Sequence, residues 1–164
     1  MLFKRLKPSI EEIIPFVKDS IALGKDVRIT VTGNSMYPLF RSNQDTVTLE
    51  AFEQIRKYDV VLYKRPNGQY VLHRVLKVCG DCLTIAGDNE IKKEYPVQIN
   101  DCIARMKSFE SRGRIYTTDA GWYKSYCRLW AFIFPLRHVA VAGIKAVAVL
   151  RKKLKRGKGG DSHK

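Results

Sequence analysis

Ser35, His73 and Asp88 occur in that order along the chain, each inside a short stretch that constrains it. A serine hydroxyl is a poor nucleophile until a base takes its proton. An imidazole titrates in the right range to do so, and a carboxylate can orient the imidazole. These three residue types therefore point to acyl transfer. Ser35 stands in Gly33-Asn34-Ser35-Met36-Tyr37-Pro38, directly after the alternating apolar and polar residues 27–32. That alternation is the period of a half-buried strand. Gly33 permits a left-handed backbone, and Pro38 fixes its own φ while biasing Tyr37 toward extended geometry. The serine is thus expected on a stiff turn, with Met36 directed inward as its anchor. Gly33, Asn34, Met36 and Pro38 are the candidate substrate-binding positions around it. A turn serine alone is ordinarily only a turn residue, and a lone strand histidine is ordinarily a hydrogen-bonded core residue. Their occurrence together is what favours catalysis.

The elements that must position these residues are legible from the chain pattern. Ser9-Ile10-Glu11-Glu12 fits a capping box. Ile10, Ile13, Ile14, Val17 and Ile21 then line one helical face until Gly24 stops it. Pro15 inside that stretch suggests a kink or a broken first turn. Residues 41–45 read as a loop, and 46–50 and 59–63 as strands, the second too apolar for a wet edge. Pro66-Asn67-Gly68 is a hairpin turn into a long strand over 69–78 that carries His73. Gly80-Asp81 turns the chain into 82–86, which ends at Gly87-Asp88-Asn89. A last strand is expected over 97–106. The domains expected are an N-terminal helix at 1–24, a mainly β domain at 25–110, a linker with amphipathic basic helices at 111–150, and a disordered basic tail at 151–164.

The charge is unevenly spread. Thirty basic against 16 acidic residues give +14, and residues 122–164 alone hold 11 Lys/Arg and one Asp. The body is close to neutral, which disfavours nucleic acid as a partner of the β domain. After Pro135, Arg137, Lys145 and Lys152 recur at spacings of eight and seven, one stripe of a helix whose other side is valine and alanine. Such a helix suits an anionic membrane surface on the cytoplasmic side, lying on it rather than crossing it; a helix packed on the β domain, in a cytoplasmic protein, is the alternative. No uncharged run approaches the roughly 18–20 residues that span a bilayer. Four cysteines without a secretory signal read as reduced thiols. Cys79-Gly80-Asp81-Cys82 has metal-pair spacing, but its hairpin accounts for that spacing and no second pair completes a site. No metal or cofactor is expected.

Four boxes, Gly33-Asn34-Ser35-Met36-Tyr37-Pro38, Tyr58-Asp59-Val60-Val61-Leu62-Tyr63, Leu72-His73-Arg74-Val75 and Gly87-Asp88-Asn89, fall in the order seen in the serine peptidases that group signal peptidase I with LexA-like autoproteases. The chain resembles that family over about residues 27–106. Histidine at 73, where the bacterial Ser/Lys enzymes have lysine, makes it similar to the endoplasmic-reticulum, archaeal and SipW-type signal peptidases. The resemblance implies a coiled β fold, Ser35 as nucleophile, His73 as base, and cleavage after a small residue in an extended leader or preprotein. Signal peptidases usually carry a serine two positions before the nucleophile. Gly33 stands there in this chain, so the oxyanion hole is expected to rest on backbone N–H groups, including that of Ser35. Asp88 is the first candidate to orient His73, with pairing to Arg74 as its other role; Glu94 is the second candidate. Two other readings compete: a non-catalytic module that binds a peptide as an added strand, and a LexA-like regulator. The N-terminal residues supply only one helix, too little for a helix-turn-helix.

Overall fold

A computed structural model describes residues 9–136 and, beyond them, only 139, 143–144 and 146–147. The basic stripe at Arg137, Lys145 and Lys152 and the tail at 151–164 lie outside the described residues. The first element is the helix that the capping box announces, α1 (Ile10–Ala22). Ser9 Oγ accepts the Glu12 N–H, and Glu12 Oε2 accepts the Ser9 N–H at 3.1 Å. Gly24, at φ +69°, closes the helix, its N–H donating to the Ile21 carbonyl. The expected break at Pro15 does not occur, and the helix runs through it as one segment. A proline there forfeits the bond to the Glu11 carbonyl. Burial of Ile14, Val17 and Ile21 against the sheet outweighs that loss, because tertiary packing supplies most of a protein helix's stability.

Eight strands follow: β1 (Val27–Thr30), β2 (Thr46–Glu50), β3 (Val60–Lys64), β4 (Tyr70–Cys79), β5 (Cys82–Ala86), β6 (Glu94–Gln98), β7 (Cys102–Ser111) and β8 (Arg114–Thr117). They form one antiparallel sheet in the order β1-β2-β7-β3-β4-β5-β6, with β8 paired to β7. The protein is therefore mainly β. The single strand expected over 97–106 is two strands, β6 and β7, separated by a 3-10 turn at Ile99–Asp101. Both carry apolar alternation, so the pattern alone did not show the break. The sheet also continues beyond residue 110, through the β7–β8 hairpin.

β3 lies at the sheet centre and is buried on both faces. Val60 and Leu62 join one core with α1, β1, β2 and β7, whereas Val61 and Tyr63 join a second core over β4, β5 and β6. Register shifts interrupt the β2–β7, β3–β7, β4–β5 and β5–β6 ladders. Such bulges strengthen local twist and let a sheet coil onto two cores. In the β3–β4 register His73 opposes Val61 and Arg74 opposes Val60, so these consecutive residues enter different cores. The second helix, α2 (Gly121–Phe132), buries Tyr123, Cys127 and Trp130 at helical spacing. No helix among the described residues is long and apolar enough to cross a membrane.

Candidate active site

β1 ends at Thr30, two residues earlier than the alternation suggests, because the chain turns there into the serine loop. Backbone bonds from Val31 N to the Asp45 carbonyl (3.0 Å) and from Asn43 N to the Val31 carbonyl (2.8 Å) tie the loop's base. Gly33 takes φ +80° and donates its N–H to Ser42 Oγ. Met36, 2% exposed, is the inward anchor, and Phe40 packs edge-on against Phe109. Beneath the loop the buried Asp45 accepts from Arg41 and Ser111. Burial alone would push its carboxyl up, but these bonds hold it below the usual carboxylate range.

The loop's outer side faces Gly87-Asp88-Asn89. The Asn89 N–H donates to the Ser35 carbonyl at 2.7 Å, and Asn89 Nδ2 to the Asn34 carbonyl at 3.1 Å. Gly87 is required by close approach: a Cβ there would lie 2.6 Å from the Ser35 carbonyl oxygen. Among the described residues nothing accepts the Ser35 N–H, which leaves it available to an oxyanion. A cleft of about 110 Å³ opens beside Ser35, lined by Met36, Thr30, Thr32, Ile10, Tyr70 and Leu72, among others. Of the four candidate substrate-binding positions, Met36 lines this cleft, while Gly33 and Asn34 are exposed on the loop and Pro38 is half-buried.

His73 is fully buried. Its Nδ1 lies 3.2 Å from Glu94 Oε1 and 3.4 Å from the Tyr63 hydroxyl. Placing the ring proton on Nδ1, where Glu94 accepts it, leaves the lone pair on Nε2. Nε2 has no hydrogen-bond partner among the described residues, so it makes no such bond to Ser35 Oγ. The nearest charged group is Glu90, whose Oε1 is 3.7 Å away and whose stem abuts the same Gly87 as the Ser35 carbonyl. Arg65 grips Glu94 through both oxygens, at 2.9 and 2.5 Å. Burial would raise the Glu94 carboxyl, but bonds from Arg65 and Tyr63 bring it below its ordinary value, so it stays ionised at neutral pH. Burial pushes the Tyr63 hydroxyl up, keeping it a neutral donor.

Asp88, expected first to orient His73, is engaged elsewhere. Arg74 Nε and Nη2 donate to its two oxygens at 2.9 and 2.8 Å, both side chains being fully buried. Tyr126 Oη donates to Asp88 Oδ2, and Trp130 Nε1 to its carbonyl. Arg74 Nη1 reaches the Tyr58 carbonyl, Tyr123 Oη and Cys127 Sγ. Asp88 thus locks β4, the β5–β6 connection and α2 together. Glu94, the second candidate, holds the position behind His73. Glu90, Tyr63 and Arg65 escaped the sequence reading. Glu90 was the findable one, two residues past Asp88 and four before Glu94.

Burial lowers the His73 pKa from 6.5, opposed by the charges of Glu90 and Glu94 and assisted by Arg65. With the neutral imidazole acting as the base, the acid limb of kcat/KM is expected below pH 6.5, with a plateau above. Around the ring stand Glu90 at Nε2, Glu94 and Tyr63 at Nδ1, and Arg65 behind Glu94. Glu90→Gln removes a charge that favours the imidazolium, so it should move the limb further down. A profile still rising toward the lysine value of about 10.4 would identify a lysine base such as Lys77 instead. Gly87→Ala should displace the Ser35 carbonyl and lower kcat by about 100-fold, the effect of a misplacement near 1 Å. An unchanged kcat in that variant would show that the Ser35 backbone position is not critical.

Comparison of the chain with family models and with curated proteins finds no match.

Proposed function

We propose that the chain is a serine endopeptidase of the signal-peptidase-like type, acting on an extended leader or preprotein segment. The observation that carries this reading is the state of His73: a buried imidazole, backed at Nδ1 by an ionised Glu94, with an unpartnered Nε2. In this reading Nε2 takes the Ser35 hydroxyl proton as Oγ attacks the scissile carbonyl. The tetrahedral oxyanion is held by backbone N–H groups, that of Ser35 among them. The carbon–nitrogen bond breaks as Nε2 returns the proton to the leaving amine, and a water repeats the cycle on the acyl-enzyme. The cleft beside Ser35, lined largely by aliphatic side chains, can take an aliphatic side chain of the substrate. β1 ends the sheet, so its outer edge can receive the peptide as an added strand. Incubation with a library of extended peptides, read by mass spectrometry, tests the proposal. Cleavage confined to one residue class before the scissile bond, and absent in Ser35→Ala, supports it; equal products from both proteins refute it.

The second part of the reading is a peripheral site of action on the cytoplasmic face of an anionic membrane. Its support is the +10 net charge of residues 122–164 and the exposed Trp122, Leu129 and Phe132 beside Lys124 and Arg128. Each basic side chain near such a surface contributes on the order of 1 kcal/mol. Binding to anionic vesicles should weaken with salt and should fall when residues 137–164 are removed. The cut belongs after 136, because α2 seals the Arg74–Asp88 pair. Equal binding to neutral and anionic vesicles at every salt concentration contradicts this placement.

A further inference from the structure

His73, Glu90 and Glu94 place three ligand-capable atoms within 4.8 Å of one another. The acyl-transfer reading uses His73 and Glu94, whereas Glu90 acts in it only through its charge on the imidazole. Glu90 is one-third exposed and reaches the one buried polar side-chain atom among the described residues that has no hydrogen bond, His73 Nε2. Zinc-type ions bind imidazole nitrogen and carboxylate oxygen at about 2.0–2.2 Å, which sets two ligands of a tetrahedral ion about 3.3 Å apart. The observed separation of 3.7 Å lies within about 0.4 Å of that value. Behind the ring, Glu94 on Nδ1 forms the carboxylate–histidine pair that fixes a metal-bound imidazole and raises its basicity. Arg65 holds Glu94 in that outer role.

We propose that His73 Nε2 and Glu90 bind a divalent transition-metal ion of the zinc or cobalt class, and that the bound ion switches the peptidase off. The ion and the serine proton require the same Nε2 lone pair, so occupancy by one excludes the other. An imidazole–carboxylate pair selects these borderline ions over Mg²⁺ and Ca²⁺, which prefer all-oxygen shells. Two protein ligands leave the remaining positions to water, which suits a reversible inhibitor rather than a resident cofactor. The inhibitory half rests on His73 being the base, whereas the binding half does not.

Titration of the full chain carrying Ser35→Ala with Co²⁺, followed by calorimetry and visible absorption, tests binding without catalysis. One ion per chain is expected, with affinity reduced at least about tenfold in Glu90→Gln and lost in His73→Ala. Glu90→Asp, which keeps the carboxylate but shortens the reach, should fall between the parent and Glu90→Gln and serves if Glu90→Gln does not fold. Absence of a one-to-one site, affinity unchanged by both Glu90 variants, or a thiolate-to-cobalt absorption band from Cys79 and Cys82 overturns the site. In the unmutated chain Zn²⁺ should slow the reaction of Ser35 with a fluorophosphonate, and a chelator should restore it. Binding without slowing overturns the inhibition. A metal-free chain that never reacts at Ser35 defeats the peptidase reading while leaving the metal site standing.

Discussion

Ser35→Ala and His73→Ala are each expected to reduce peptide cleavage by about a thousandfold or more, and the double variant to be no slower than either single one. The magnitude follows from what each group supplies. Without Oγ there is no acyl-enzyme, and without the imidazole the hydroxyl stays protonated at neutral pH. Members of one proton-transfer unit fail together, so their effects do not add. Neither change should unfold the protein. Ser35 is half-buried on a loop anchored by Met36, Phe40 and Asp45, and the loop's bonds to Asn89 run through backbone atoms that alanine retains. His73→Ala removes a buried ring, so its thermal midpoint should fall while the Ser35 variant's stays near the parent's. Turnover of either alanine variant at the parent rate, measured on a cleaved peptide, contradicts the assignment.

Asp88→Ala should be the most damaging substitution for stability, at about 3–5 kcal/mol. It strips the partner from an arginine with no solvent exposure and leaves that cation uncompensated. Burial disfavours the charged guanidinium, but the charge and hydrogen bonds of Asp88, together with Tyr123 and Cys127, outweigh this and hold the Arg74 pKa well above its ordinary value. The rings of Tyr123 and Tyr126, each 5.6 Å from Arg74 Cζ, add cation–π contact that persists in the variant. Their packing cannot replace a bidentate carboxylate, and α2 should loosen as Tyr126 loses its acceptor. A drop in thermal midpoint on the order of 10 °C is expected. Replacing both members together, as in Arg74→Met with Asp88→Leu, should recover part of the loss, because no charge is then left buried. A variant that keeps its midpoint but loses cleavage would return Asp88 to the role of orienting His73.

The contrast between Asp88 and Glu94 shows what the sequence could and could not carry. The helix, the serine turn, both tight hairpins and the strand bearing His73 all announce themselves through local rules: a capping box, a left-handed glycine, Asn-Gly at a turn, alternation. Their boundaries in the fold differ by one or two residues. What was not legible depended on contacts distant in sequence. Asp88 is adjacent to neither Arg74 nor α2, and only the β4–β5 register together with the helix from residue 121 gathers Arg74, Tyr126 and Trp130 around it. Glu94 reaches His73 because β6 pairs with β5, and the single strand expected over 97–106 ran across the boundary between β6 and β7. Arg65, whose bonds hold the Glu94 carboxyl down, lies between the strand expected over 59–63 and the turn at 66–68, where no local pattern marks it. Pairing Asp88 with Arg74 was an available alternative, but only burial of both side chains decides between the two roles.

The central claim is that Ser35 is a nucleophile activated by His73, and reaction with a fluorophosphonate tests it most directly. In metal-free buffer at neutral pH, intact-mass spectrometry should show one adduct per chain, and peptide mapping should place it on Ser35. The adduct should be absent in Ser35→Ala and strongly slowed in His73→Ala. An unmodified chain after prolonged exposure, or an adduct that persists in Ser35→Ala, would contradict the account.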